Sequence, residues 1–148
     1  MLRRRSVVLL LSGIALHLAC ASASSAQNRV AVAIVVNRSH QIGDMSFADV
    51  RKLYLGEKGT LPNGRRVTIL MSPPGTPERE VVLRQIFKMS EREFTKYLLQ
   101  SAFTGRQSPP REVAAGDMKK LVAERPEVMG YIPVSEVDSS IRAVLVVQ

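Results

Sequence analysis

Apolar residues fall along this chain in two rhythms, and the places where one gives way to the other mark its elements. Arg29 to Asn37 is almost wholly apolar and rich in valine, which predicts an interior strand covered on both faces. Val67 to Met71 repeats that pattern and predicts a second strand. Pro73-Pro74-Gly75 stops it, because proline gives no N–H to a sheet ladder. Thr76 then suits an N-cap and Pro77 the first helical position. The rhythm changes to three and four, with Val82, Leu83, Ile86 and Phe87 on one face of a helix expected over Glu78 to Lys88.

The same two rhythms place the other elements. Ser46 caps a helix whose stripe is Phe47, Val50, Leu53 and Tyr54, with Asp49 at the capping-box position and Gly56 closing it. Pro62-Asn63-Gly64 is a turn. Ser90 and Glu93 form a capping box, so a new helix starts there, with Phe94, Tyr97 and Leu98 inward and Phe103 beyond its end. Gly105 to Pro110 breaks the pattern. Asp117 is expected to cap a helix over Met118 to Arg125, which Pro126 ends. Val128 to Pro133 and Arg142 to Val147 read as two last strands, and Gly130 inside the first of them implies a close approach or a bulge. Strand, helix, strand, three helices, strand, strand is the order of an α/β domain, a mixed sheet flanked by helices.

The first residues change the picture of where the domain begins. Arg3-Arg4-Arg5, an apolar run from Val7 to Leu18, and small residues up to Ala26 have the layout of a cleaved signal peptide. Residues 1–26 are therefore expected to be removed, and 27–148 to form one domain in the periplasm or outside the cell. Cys20 offers the competing fate of a lipidated cysteine, but His17 stands three residues before it where a leucine-like residue belongs. Cleavage after Ala26 leaves no cysteine, hence no disulfide and no thiol nucleophile. The net charge of +8 counts the three arginines of the leader and is about +5 without them. Those charges are scattered among acids, with no groove-reading motif, which argues against a nucleic-acid partner.

Candidate chemistry is sparse. A helix start after a glycine turn points N–H groups outward and is a candidate anion site at Gly75 and Thr76, although Glu78 and Glu80 already answer the positive end of the helix dipole. Arg106 and Arg111 flank a Gly-Arg-Gln-Ser-Pro-Pro loop and either clamp an anion or stand solvated. Tyr131 is either a buried aromatic with a satisfied hydroxyl or the lining of a crevice at a strand end. Once residues 1–26 are removed, His40 has no second histidine or cysteine to complete a metal site, and it is expected in an exposed loop. No nucleophile and base, no carboxylate pair and no cofactor motif can be assembled, which argues against an enzyme.

In order along the chain stand VAIVVN (Val32 to Asn37), SFADVRKLYLG (Ser46 to Gly56), GTPER (Gly75 to Arg79) and GYIP (Gly130 to Pro133). This set resembles the small, single-domain relatives of phosphate ABC-transporter substrate-binding proteins, of the type 2 periplasmic-binding-protein superfamily. The resemblance implies one periplasmic-binding-protein-like α/β lobe, where full-length binders close two lobes on their ligand. It implies a phosphate held by a serine-glycine-threonine turn at a helix start, with Gly75 and Thr76 matching the glycine and threonine. Pro74 stands in place of the serine and Leu70 in place of an arginine that often precedes the turn. Inorganic phosphate or another small anion is thus the expected ligand. The other expectation is a lobe kept for a periplasmic or membrane protein partner after ligand binding was lost.

Overall fold

Five strands make one mixed sheet in the order β3-β2-β4-β1-β5 in the computed structural model, which describes residues 30–105 and 109–148. The expected leader lies outside the described residues. β1 (Val32–Asn37) runs antiparallel to both its neighbours, β4 (Val128–Pro133) and β5 (Ile141–Val147). β2 (Thr68–Met71) lies parallel to β4 and to the two-residue β3 (Arg111–Glu112). Every residue of β1 is buried, as its unbroken apolar run requires of an interior strand.

Strand alternation divides the interior in two. Val32, Ile34 and Val36 of β1, with Met71, Met129 and Tyr131, face the larger core, closed by α1 (Phe47–Tyr54), α2 (Pro77–Val82) and α3 (Glu91–Phe103). Ala33 and Val35, with Leu70 and Ile132, face the smaller one, covered by Met118 and Val122 of α4 (Ala115–Glu124). Gly130 lies under α4 on that side. A Cβ there would lie 2.5 Å from Met118 Sδ, so the strand glycine is a packing requirement.

The caps follow the sequence. Ser46 Oγ accepts from the Asp49 N–H at 3.1 Å, and Ser90 and Glu93 form the full reciprocal box. Gly56 closes α1 with a φ of 66°. Four expectations are corrected. The helix expected over Glu78 to Lys88 is α2 followed by a π-helical turn at Leu83–Phe87, where the N–H groups of Lys88 and Met89 both reach the Leu83 carbonyl and Lys88 turns left-handed. β3 follows the expected break, at two residues to which no element was assigned, since two residues carry no period. α4 begins at Ala115, with Asp117 in its first turn rather than at its cap. His40 is buried, not exposed. Its Nε2–H donates to the Pro126 carbonyl at 2.6 Å, which leaves Nδ1 to accept from Asn63 at 3.3 Å, so it ties three loops together.

Candidate anion site

β2 ends at Met71 and delivers Ser72, which is buried, to the base of the glycine turn. Two groups clamp its peptide units. The Ser72 N–H donates to the Tyr131 hydroxyl at 2.9 Å, and Arg79 Nη1 donates to the Ser72 carbonyl at 2.7 Å. The chain then reverses through Pro73 to Thr76 as a type II turn, with Pro74 at its second position and Gly75 at its third. Only that third position needs a positive φ, and Gly75 has 84°. The Thr76 N–H points back to the Pro73 carbonyl at 3.4 Å. The Thr76 hydroxyl also donates to that carbonyl, at 3.0 Å, and so turns inward. Thr76 occupies the N-cap position without making the cap bond, and Pro77 follows as the first helical residue.

Arg79 is the residue that sequence reasoning passed over. It is 4% exposed. Its Nε and Nη2 hold both oxygens of Glu91 at 2.9 and 2.6 Å, and Nη1 reaches Glu112 at 3.1 Å. The guanidinium carbon lies 5.7 Å from the centre of the Phe94 ring. Burial works against its charged form, but the bonds and charge of Glu91, with Tyr131 and Glu112, together outweigh burial and raise its pKa. A signal was present. Arg79 stands three and four residues before Val82 and Leu83, in phase with the apolar stripe, so helical geometry turned it inward.

Tyr131 takes the first of its two readings. Its ring is buried 6.4 Å from that of Tyr54, and its hydroxyl serves the Ser72 N–H. Burial pushes its pKa up to about 12, against the opposing pull of the Ser72 bonds and the Arg79 charge. Arg111 is exposed on β3 in register with Leu70. It lines a shallow cleft of about 400 Å³ with Asp117, Lys120 and Glu124, a cleft that includes neither Gly75 nor Thr76. Glu112, the next residue, turns to Arg79. Arg106 lies outside the described residues. Gly75 and Thr76 thus come together at one turn and Arg111 stands elsewhere. Among the described residues, no three His, Cys, Asp or Glu side chains gather as a metal site, and no helix is long and apolar enough to cross a membrane.

No protein-family model matches the chain, and no curated protein matches its sequence. Solved structures match its fold. One is described as a phosphate ABC transporter substrate-binding protein, with bound phosphate, from Clostridium perfringens, at TM-score 0.60 and 18% identity over 76% of this chain and 43% of that one. Another is an ABC-type phosphate transport receptor from Vibrio cholerae, at TM-score 0.59 and 15% identity, covering 76% and 44%. A third is PstS from Borrelia burgdorferi, at TM-score 0.58 and 10% identity, covering 77% and 46%. The chain has a periplasmic-binding-protein-like fold. It spans less than half the length of each of these proteins, the first two of which are described as a substrate-binding protein and a transport receptor. At such identities the likeness is one of fold.

Proposed function

We propose that the chain is an exported binding lobe without chemistry of its own, and that it holds phosphate or a similar small anion weakly, from one side, at the Gly75–Thr76 turn. The supporting observation is the turn itself. Its tip is exposed at the end of β2, and its base is fixed by Tyr131 and Arg79 through the two sides of Ser72. A rigid turn of this kind offers the Gly75 N–H to an anion without the cost of ordering it first, while the Thr76 N–H is already turned to the Pro73 carbonyl. Three features keep binding weak. Pro74 lacks an N–H, the Thr76 hydroxyl must leave Pro73 to reach a ligand, and Glu78 and Glu80 stand in the next turn. Each missing hydrogen bond to a charged ligand is worth about 1.5–3 kcal/mol. Periplasmic export rests on the leader-like first residues, and a phosphate-type ligand on the likeness of fold and the Gly75–Thr76 match.

A second reading is favoured by how fully the turn satisfies itself. The Thr76 hydroxyl, the Tyr131 hydroxyl and the Arg79 guanidinium all have partners inside the protein. Such a lobe serves as an interaction or assembly module in the periplasm, with no small ligand at this turn.

Isothermal titration with phosphate and sulfate at low salt separates the two. The first reading expects a dissociation constant of about 1 mM, weakened by Thr76→Val and unchanged by Arg111→Ala, since Arg111 lines another cleft. Absence of heat up to about 10 mM favours the module without a ligand. Submicromolar binding by the monomer overturns both accounts of the turn.

A further inference from the structure

A second cleft opens at the other end of β2, about 13 Å of strand away from the glycine turn. Its volume is about 490 Å³, within the range of small-molecule sites. Leu53, Val67 and Ile69 line it with apolar carbon, and Pro109 and Pro110 add a rigid apolar wall. Lys58 and Arg66 supply two cations. Among the described residues neither is paired with a carboxylate. Among the described residues Glu127 is the one acid of the lining, and Thr68 adds a hydroxyl.

The two cations stand on segments whose backbone is held. The Lys58 N–H donates to the Lys52 carbonyl at 3.1 Å. Arg66 is bridged to Thr60, and between them the buried Leu61 anchors the loop, with its N–H on the Arg65 carbonyl at 2.9 Å. Asn63, at the tip of the same loop, is tied to the buried His40. Apolar carbon with two unpaired cations beside it suits a ligand that has an apolar body and an anionic head. The space far exceeds an inorganic anion, and two cations against one acid are too few to track a nucleic-acid backbone.

We infer that this cleft binds an organic anion, a carboxylate or phosphate monoester on an apolar body, with the head between Lys58 and Arg66 and the body against Leu53, Ile69 and Pro110. The site is independent of the Gly75–Thr76 turn, so either can fail alone.

The test is a titration of the ¹⁵N-labelled protein followed by amide shifts, with phenyl phosphate, benzoate, neutral benzamide and inorganic phosphate as probes. Phenyl phosphate and benzoate should shift the amides of Gly56, Gly59 and Thr68 along a saturable curve. Benzamide should bind about tenfold more weakly, and Lys58→Glu or Arg66→Glu should each weaken phenyl phosphate by about tenfold. Lys96→Glu, the same charge change on the exposed face of α3, should leave it unaltered. Lys58→Gln and Arg66→Gln serve if a reversed variant loses its dispersed spectrum. The inference is overturned by the absence of saturable shifts at the cleft, by equal binding of benzamide, or by equal weakening from Lys96→Glu. It is also overturned if inorganic phosphate matches phenyl phosphate at the same amides. Shifts confined to Gly75 and Thr76 report the turn and count against the cleft.

Discussion

Buried hydroxyls and one buried guanidinium set the character of the glycine turn. Arg79 spends its fork on Glu91, Glu112 and the Ser72 carbonyl, so it braces the loop rather than waiting for a ligand. Tyr131 serves the Ser72 N–H, whereas the Tyr54 hydroxyl, fully buried nearby, has no partner among the described residues. Burial raises the pKa of Tyr54 well above the usual value, and Tyr131 adds to it. Tyr131 is itself pushed up by burial to about 12. An unfolded tyrosine ionises near pH 10. Because both folded values are raised, their contribution to stability is complete below about pH 10 and falls above it, that of Tyr131 being lost as pH rises through about 12. The urea midpoint should therefore fall between about pH 10 and 12. Tyr54→Phe should lessen that fall without loss at pH 7, since it removes a hydroxyl that bonds nothing. A flat alkaline profile in the parent protein would show that neither ring is shielded from water.

At the scale of elements, the close contact of α4 with β4 is the most exacting. Met118 and Val122 pack over Gly130 with no room for a methyl group. Gly130→Ala should cost about 1–3 kcal/mol in a urea melt, because Met118 has to leave its position. Adding Met118→Ala should recover part of that loss, since the sulfur is then gone. Equal stability of Gly130→Ala and the parent would mean that α4 lies farther from the sheet. The larger core depends instead on aromatic packing. Phe94 is fully buried, stacked on Phe87 with ring centres 5.3 Å apart, while Phe103 at the end of the same helix is 89% exposed. The heptad-like phase of α3 explains both, because Phe94 and Ser101 share the buried face and Phe103 falls past it.

At the scale of the whole domain, the described residues form a sheet covered by one helix on one side and by several on the other, with the candidate sites at opposite ends of β2. Export is the prediction that belongs to this scale. The basic, apolar and small-residue order of the first 26 residues should be removed, and intact mass of the exported protein should place Gln27 at its N-terminus. A chain that begins at a diacylated Cys20 would overturn this and fix the domain to a membrane surface. The domain is mildly basic, about +5 without the leader, too little for its overall field alone to select a small anion.

Local physics settled what the sequence by itself determined. Valine runs made β1 and β5, the apolar stretch of Val128 to Pro133 made β4, and Ser46 and Ser90 began α1 and α3 because a side-chain oxygen there answers a helix N–H. The α/β class, the stop of β2 at the glycine turn and the tight spot at Gly130 followed from the same rules. Only the tertiary structure decided which strands became neighbours, for β1 joins two partners from the far end of the chain. It alone buried His40, whose partners Asn63 and Pro126 are distant in sequence. It also turned the Thr76 hydroxyl inward and brought Glu91 and Glu112 onto Arg79. Caps and strand runs are legible because they act over a few residues. A polar side chain's partner across the fold leaves no periodic trace, so burial of charge and the shape of a cleft appear only when the elements are packed.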